Sequence, residues 1–403
     1  MSYTQKEVLQ FVKEEDVKFI RLMFCDVFGK LKNVSIMESE LSRAFEVGIA
    51  IDASAIAGFG DEAHSDVFLH PDPNTISILP WRPEHGRVVR MFCNITLPDG
   101  TPLVSDTRYL LEKAIQEAKK QGYTFRFGTE IEFYLFKLDE FGNKTDIPYD
   151  YAGYMDMSPE DKGENIRREI CLTLEQMGIY PESSHHEEGP GQNEIDFKYS
   201  SPLEAADNAQ TFRSVVGATA MRNGVAVDFS PKPLRNYAGN GVHINFSIRA
   251  SNGEDVMEQA IAGILKHIPE LTAFLNPTDD SYKRLGEKKA PSYISWGEGN
   301  RSQLIRIPAA QGEYRRAELR SPDAFSNPYL AFTILIYSAL DGIKNKMKPP
   351  RKTKVNFYDA SIDVLNKYAR LPKTLKESND LAKQSKFVKR ILPLSIINSY
   401  TNR

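Results

Sequence analysis

Two stretches of the sequence concentrate acidic residues in patterns that could hold a metal ion. Residues 184–199, SHHEEGPGQNEIDFKY, contain two histidines and four acidic residues. The end of this stretch alternates polar and apolar residues, which predicts a strand with Glu194 and Asp196 on one face and Ile195 and Phe197 on the other. A strand that turns acids towards the interior needs a compensating positive charge, and a divalent metal ion is a common one.

Residues 123–136 form the second acidic stretch. The segment is mostly aromatic and apolar, yet it places Glu130 and Glu132 two positions apart. Because side chains alternate along a strand, both carboxylates point to the same face. Two adjacent carboxylates either share a proton or hold a cation. An exposed sheet face is the alternative interpretation, and we favour metal binding over it.

A histidine follows further along the chain. Residues 239–248 are typical of a glycine turn that enters a strand, in which His243, Asn245 and Ser247 share a face. A single histidine on a strand is usually structural. Its interpretation as a metal ligand therefore depends on the two acidic stretches.

Arginines dominate residues 300–329. Between Arg301 and Arg320 the segment contains only two acidic residues, one of which is Glu318, and five arginines: Arg301, Arg306, Arg315, Arg316 and Arg320. A solvated charged face is one interpretation, and an anionic ligand bound by bidentate guanidinium groups is the favoured one. Carboxylate-held magnesium or manganese together with arginines is the arrangement used for phosphoryl transfer. The sequence contains neither a Walker A loop nor a Rossmann glycine fingerprint.

Length and composition describe a globular chain larger than one ordinary domain. The 403 residues are 41% hydrophobic and 26% charged, and the net charge of −3 gives no reason to expect nucleic acid or a membrane as partner. The cysteines lie far apart, which favours a reducing compartment. The charged N-terminus does not resemble a signal peptide, and the longest apolar run, residues 329–340, is too short to span a bilayer. We therefore expect a cytoplasmic protein in which this run is a buried helix.

The order of predicted elements divides the chain near residue 100. Strands with one or two helices fill residues 1–100, which predicts a small α+β domain. A helix over residues 107–121 opens a second domain, residues 101–403. All of the stretches described above lie in this second domain.

Five blocks of the sequence resemble the glutamine synthetase family, type I. They are GTEIEFYLF, HHEEGPGQNEIDFKY, GNGVHINFSI, NRSQLIRIP and RRAELRSPDAFSNPYLAF, in the family's order and approximate spacing. FCDVFGKLKNVSI resembles the β-grasp domain of the family, and the HHE block is similar to the form found in Gram-positive bacteria. The likeness runs from Val17 to about Gly342. It implies an α+β fold with an N-terminal β-grasp domain (1–100) and a catalytic domain (101–403) whose antiparallel sheet is flanked by helices.

The resemblance implies ATP and about two or three Mg²⁺ or Mn²⁺ ions in each site. Matched by position, the ligands of one ion would be three glutamates and those of the other two glutamates and a histidine: Glu132, Glu187 and Glu194, and Glu130, His243 and Glu318. Arg306 and Arg316 match contacts to the nucleotide phosphates. Phe197 and Ser247 lie where the family holds the nucleoside.

The resemblance also implies glutamate and ammonia as substrates, which are joined through γ-glutamyl phosphate. Arg284 matches the residue that binds the α-carboxylate, and Arg301 and Arg320 match those that bind the γ-carboxylate or its phosphate. Gly239 and His243 match further substrate contacts.

The implied amine pocket consists of Tyr154, Glu187 and Asp52, and Asp52 would reach it from a neighbouring subunit. This implies a homo-oligomer, which in the family is a dodecamer of two hexameric rings with sites between subunits.

Three departures from the family pattern fall where the amine and the amino acid bind. The flap R-L-x-P-G-Y-E-A-P reads RLGEKKAP here, and Lys289 stands in place of the glutamate. Lys289 would repel ammonium unless Glu287 takes the glutamate's role. Ala238 replaces an asparagine and Ala55 a serine. A glutamate–ammonia ligase is the favoured hypothesis, and a γ-glutamyl ligase for an organic amine and a non-catalytic homologue are the alternatives.

Overall fold

The computed structural model describes residues 3–287, 289–309 and 315–402. The elements of the N-terminal region are α1 (Gln5–Glu14), β1 (Val17–Cys25), β2 (Leu31–Met37), α2 (Leu41–Glu46), β3 (Ile49–Asp52), β4 (Asp66–Pro71), β5 (Ser77–Ile78) and β6 (Arg87–Thr96). The strands form a six-stranded sheet in the order β2-β1-β6-β4-β3, with β5 also paired to β6. Strands β1 and β6 run parallel, and the other pairs run antiparallel.

Helix α1 shows how local sequence sets these elements. The Thr4 side chain accepts a hydrogen bond from the Glu7 amide, and the Glu7 carboxylate accepts one from the Thr4 amide, so the helix begins at a capping box. Val8 and Val12 lie four residues apart and are both buried. The helix therefore covers the sheet with one apolar face.

The remaining chain forms the larger domain. Its elements are α3 (Thr107–Lys120), β7 (Tyr123–Leu138), β8 (Lys144–Pro148), α4 (Glu164–Gln176), β9 (Pro181–His186), β10 (Gln192–Phe197), α5 (Pro202–Arg222), β11 (Val225–Asp228), β12 (Val242–Ala250), α6 (Met257–Leu275), α7 (Asp279–Arg284), β13 (Trp296–Glu298), β14 (Ile305–Ile307), β15 (Ala317–Leu319), α8 (Pro328–Lys344), α9 (Ile362–Leu365), α10 (Leu375–Gln384), α11 (Lys386–Ile391) and α12 (Leu394–Thr401). A nine-stranded sheet runs in the order β13-β14-β15-β12-β7-β10-β9, with β8 and β11 also paired to β7. All of its pairs except β13–β14 are antiparallel.

Alternation along β7 gives this sheet an apolar face and a polar face. Phe127 stacks on Phe332 of α8 with 4.3 Å between ring centroids, and Phe133 meets Phe212 of α5 edge-on at 5.9 Å. All four rings are buried in the core. Because residues two apart share a face, the glutamates of β7 are directed to the opposite side.

A buried polar network joins the two regions of the chain. Arg108 of α3 donates two hydrogen bonds to Asp207 of α5, at 3.1 and 3.2 Å. It also donates to Asp72 at 2.8 Å and to Asn94 at 2.6 Å, both in the N-terminal region. The Tyr329 hydroxyl completes the network by donating to Asp207 at 2.6 Å. One guanidinium group therefore links the N-terminal region to helix α5 of the larger domain.

The apolar run at residues 329–340 lies within α8 and is almost wholly buried, as predicted. In the part of the chain that the structure describes, no helix combines the length and the apolar character needed to cross a bilayer.

Candidate active site

Strand register brings the predicted acidic residues together on the polar face of the large sheet. Glu130 of β7 lies opposite His243 of β12 on one side and opposite Asp196 of β10 on the other. Glu132 of β7 lies opposite Glu194 of β10. A shift of one residue in either pairing would send one set of these side chains into the apolar core.

The first carboxylate cluster contains Glu130, Glu194 and His243, whose potential ligand atoms all lie within 4.8 Å of one another. Nδ1 of His243 is 3.0 Å from Glu130 Oε2, and the Asn245 amide donates to Glu130 Oε1 at 2.8 Å. Burial alone would raise the pKa of Glu130, but the hydrogen bonds from His243 and Asn245 help to outweigh it and lower the pKa to about 2. Glu130 is therefore a carboxylate anion at neutral pH.

The second carboxylate cluster shares Glu194 with the first and adds His185 and Glu187. His185 Nε2 lies 3.3 Å from Glu187 Oε1 and 3.7 Å from Glu194 Oε1. Burial, together with the charges of Glu132 and Asp196, raises the pKa of Glu194 well above its ordinary value. Ionisation of Glu194 is therefore unfavourable among these carboxylates, and a bound cation would offset that repulsion.

The donor atoms fit a divalent metal ion. A carboxylate only accepts hydrogen bonds, so a neutral His243 carries its proton on Nδ1, towards Glu130. The other nitrogen, Nε2, is buried and has no hydrogen-bond partner among the described residues. It lies 3.9 Å from Glu132 Oε1. An unpaired imidazole nitrogen among carboxylate oxygens is a donor set that suits manganese or magnesium.

Two of the predicted ligands lie beside these clusters rather than within them. Glu132 accepts hydrogen bonds from the Gly241 amide at 2.7 Å and from Gln192 at 3.3 Å. Glu318 is fully buried, and its two oxygens pair with Arg306, at 2.7 Å, and with Arg320. The clusters therefore group the acids differently from the two sets that the resemblance implies, because Glu194 belongs to both.

The arginines divide into separate groups. Arg320 is fully buried and donates to the Arg301 carbonyl at 3.2 Å as well as to Glu318. The guanidinium group of Arg316 lies 5.7 Å from the Tyr199 ring centroid. Arg315 pairs instead with the exposed Asp255 at 2.5 Å. Arg306 and Arg320 therefore contact Glu318 whereas Arg315 pairs elsewhere, and residues 310–314 of this segment lie outside the described part.

Arg284 and Gly239 pack together beside Glu132. Arg284 is buried and donates to the Ser321 carbonyl at 2.8 Å and to the Arg320 carbonyl at 3.4 Å. A Cβ atom at Gly239 would lie 2.3 Å from the Pro231 carbonyl oxygen and 2.9 Å from Arg284 Cγ. The glycine is thus required by close packing at this turn.

The two predicted nucleoside residues lie on different faces. Phe197 is buried in the core, with its ring 5.2 Å from that of Phe212. A nucleotide contact from Phe197 would therefore come from its main chain. Ser247 is half-buried on β12 and has the same parity as His243, so it lies on the polar face.

The predicted amine pocket contains a lysine. Lys289 Nζ lies 3.1 Å from Glu187 Oε2, 3.3 Å from Glu188 Oε1 and 4.3 Å from the Tyr154 ring centroid. Burial alone would raise the pKa of Glu187, but the hydrogen bond from His185 and the charge of Lys289 lower it to about 2. The pocket is thus built from a carboxylate pair and an aromatic face.

Glu287 does not take the place of the flap glutamate. Its carboxylate pairs with Lys232, which also donates to the Tyr237 carbonyl at 2.6 Å. Of the two candidates in the flap, Lys289 is the one that lies against Glu187.

Asp52 lies away from this cluster within the same chain. It ends β3 and is exposed, and its carboxylate accepts hydrogen bonds from the Ser54 amide at 2.9 Å and the Ser54 hydroxyl at 2.7 Å. Within the described residues its side-chain hydrogen bonds are confined to this turn.

Sequence reasoning missed several residues that orient the carboxylates. Gln192 and Asn245 donate to Glu132 and Glu130, and His185 belongs to a carboxylate cluster. For Gln192 and Asn245 the two-residue alternation of side chains along a strand gives such a signal. Gln192 is two positions before Glu194, and Asn245 is two positions after His243.

The fold and the site together define a class of protein in which a β-grasp domain precedes a catalytic domain with a carboxylate-lined sheet. One family model, described as the glutamine synthetase β-grasp domain, matches residues 16–98, and a second, the glutamine synthetase catalytic domain, matches residues 104–403. The glutamine synthetase of Clostridium saccharobutylicum is 43% identical over 99% of this chain and 93% of its own length. That of Methanosarcina mazei is 45% identical over 98% and 92%. The chain belongs to the glutamine synthetase family, as its sequence blocks predicted.

Solved structures confirm the fold. A structure described as a GmaS/ADP complex has a TM-score of 0.89 and 24% identity, and covers 98% of this chain and 94% of its own. The glutamine synthetase of Plasmodium falciparum has a TM-score of 0.88 and 24% identity, and covers 100% and 95%. The predicted α+β architecture with a β-grasp domain is therefore confirmed.

Proposed function

We propose that the protein is an ATP-dependent glutamate–ammonia ligase that forms glutamine through γ-glutamyl phosphate. The observation that carries this proposal is the register of β7, β10 and β12, which places Glu130, Glu132, Glu194 and His243 on one face. The relatives at 43% and 45% identity, both named glutamine synthetase, support it. In this proposal residues 1–100 are the β-grasp domain and residues 101–403 the catalytic domain.

The carboxylate clusters would hold magnesium or manganese in this reaction. The proposed ligands are those of the two matched sets: Glu132, Glu187 and Glu194, and Glu130, His243 and Glu318. Two observations support them, namely the unpaired Nε2 of His243 and the buried, charge-crowded Glu194. When bound, the ions supply positive charge to the phosphate oxygens of ATP and of the acyl phosphate.

Phosphoryl transfer is the first proposed step. Arg306 and Arg316 bind the phosphates of ATP, while Arg301 and Arg320 bind the γ-carboxylate of glutamate and Arg284 binds its α-carboxylate. A γ-carboxylate oxygen attacks the terminal phosphorus and ADP leaves. The guanidinium groups hold the oxygens on which charge develops, which stabilises the transition state.

Amide formation is the second step. Ammonium binds at Tyr154 and Glu187, loses a proton to Asp52 of a neighbouring subunit, and attacks the γ-carbonyl carbon. The C–O bond to phosphate breaks, phosphate leaves with the second proton of the attacking nitrogen, and Arg320 holds its charge as it departs. Water must be kept out, because it would hydrolyse the acyl phosphate.

The position of Asp52 supports a homo-oligomer with sites between subunits, and we assign it the family's two stacked hexameric rings. The carboxylate of Asp52 is exposed at the end of β3, and among the described residues its side-chain hydrogen bonds stay within its own turn, so it is available to a second subunit. Cys25, Cys93 and Cys171 are all free thiols, which supports a cytoplasmic location.

A γ-glutamyl ligase for an organic amine is the second candidate, and the observation that favours it is Lys289 in the amine pocket. Phosphate release with glutamate held fixed, across a panel of amines that includes ammonium, separates the two. We expect release to require both glutamate and ammonium. A strong response to an organic amine and a weak one to ammonium would establish the second candidate, and no release with any amine in manganese-bound protein would establish a non-catalytic homologue.

A further inference from the structure

Lys289 makes three contacts with the walls of the amine pocket. Its ammonium group contacts the carboxylates of Glu187 and Glu188 at 3.1 and 3.3 Å and lies 4.3 Å from the centroid of the Tyr154 ring. The lysine side chain is 26% exposed and that of Glu187 only 7%. This ion pair is therefore largely withdrawn from water, unlike the exposed lysine pairs of the same chain.

The contacts of Lys289 are those that would recognise an ammonium ion. A small cation is bound by carboxylate oxygens and by the face of an aromatic ring. The terminal group of lysine is itself an alkylammonium ion, with the same charge and the same hydrogen-bond donors. The lysine ammonium group and a substrate ammonium ion cannot both contact Glu187 and Tyr154 at the same position. They therefore compete for the pocket.

The flap backbone holds Lys289 in this place. Lys289 has φ of +64°, a left-handed conformation that non-glycine residues seldom adopt. Its segment is closed by hydrogen bonds from Gly286 to the Ala290 carbonyl at 2.8 Å and from Ala290 to the Glu287 carbonyl at 3.0 Å. Arg320 donates to the Lys289 carbonyl at 3.4 Å. The turn therefore directs this side chain to the pocket while Glu287 pairs with Lys232 on another side.

We propose that Lys289 is a specificity-determining residue that occupies the amine pocket as a tethered ammonium group, which the amine substrate must displace. This inference rests on the proposed function, because it takes Glu187 and Tyr154 as the walls of the amine site. The lysine should therefore affect the binding of ammonium much more than the chemical step. The lysine raises the KM for ammonium and has a much smaller effect on kcat, because a displaced lysine no longer contacts the reacting groups.

Substitution of the lysine tests the kinetic consequence. Lys289→Met keeps the length of the side chain and removes its charge. We expect the KM for ammonium to fall by about fivefold or more, with kcat and the KM for glutamate much less affected. Lys283→Met is the matched control, because Lys283 is an exposed lysine that pairs with Asp280 at 2.7 Å. An unchanged or higher KM for ammonium in Lys289→Met would overturn the proposal.

A second measurement does not depend on turnover. Manganese-loaded wild-type protein is labelled with a lysine-acetylating reagent in ammonium chloride or in sodium chloride of equal ionic strength, and the ratio of labelling at Lys289 to that at Lys283 is measured by mass spectrometry. We expect ammonium to raise this ratio, because it displaces the lysine from Glu187. An unchanged ratio would overturn the proposal. If the wild type releases no phosphate with glutamate and ammonium, the proposed function fails, and the labelling ratio still decides whether the pocket exchanges cations.

Discussion

Glu318 is a single carboxylate that holds two arginines. Its side chain is fully buried, with Arg306 on one oxygen and Arg320 on the other. Substitution of Glu318 by glutamine keeps the shape but removes the charge that orients both guanidinium groups. We expect kcat for phosphate release to fall by about 100-fold or more, the size of effect seen when a preorganised electrostatic group is lost.

The control for Glu318→Gln is Glu298→Gln. Glu298 is a glutamate of strand β13 in the same sheet, and it is exposed and pairs with Lys352 at 2.9 Å. This variant should keep wild-type turnover because exposed pairs contribute little. Near-normal turnover in Glu318→Gln would show that Glu318 has no part in the chemistry.

Helices α6 and α8 pack closely against each other at Gly263 and Gly342. A Cβ atom at Gly263 would lie 2.1 Å from the Ser338 carbonyl oxygen and 2.7 Å from the Gly342 nitrogen. Both obstacles are backbone atoms, so the helices themselves would have to separate. We expect Gly263→Ala to lower the free energy of unfolding by about 1–3 kcal/mol, measured as a lower midpoint of thermal unfolding.

Gly217 supplies a control of opposite sign. It lies within α5, and a Cβ atom there has no neighbour within 4 Å. Gly217→Ala should raise stability by about 0.5–1 kcal/mol, because alanine favours the helix. If Gly263→Ala and Gly217→Ala changed the free energy of unfolding equally, close packing of α6 on α8 would not be the cause.

Sequence reasoning succeeded on these elements where a local rule applies. Period-two alternation placed Glu130 and Glu132 on one face and Phe197 on the other side of β10 from Glu194, and the structure shows the same arrangement. The alternation alone leaves open which acids meet across the strands. Which carboxylate meets Glu194 depends on strand register, and register is fixed by packing between segments far apart in the chain. The partner of Arg315 was missed for the same reason.

At the scale of the whole molecule, Arg108 joins the two regions of the chain. It is buried and binds Asp207, Asp72 and Asn94. No pattern in the sequence reveals these partners, because they are up to 99 residues away. Substitution of Arg108 by methionine removes the cation that pairs with the buried Asp207 and the half-buried Asp72, so we expect a loss of about 3–5 kcal/mol in the free energy of unfolding, measured by denaturant titration.

Arg43→Met is the control for this network. Arg43 pairs with Glu40 at 2.7 Å in an exposed i,i+3 pair. Its loss should change stability by less than about 1 kcal/mol. A similar, small effect of Arg108→Met would mean that the buried network does not hold the two regions together.

The arrangement of subunits in the oligomer determines whether Asp52 of one subunit completes the active site of a neighbour. Asp52 is exposed on the N-terminal sheet, whereas Arg320 is buried in the catalytic sheet. If each site combines these residues from different subunits, Asp52→Ala and Arg320→Ala should each be inactive alone. Co-expression in equal amounts should restore activity in about one quarter of the sites, because random assembly pairs an intact Asp52 with an intact Arg320 at that frequency. Phosphate release by the purified mixed oligomer measures this recovery. No recovery, in oligomers shown by mass spectrometry to contain both variants, would place both residues in the site of one chain.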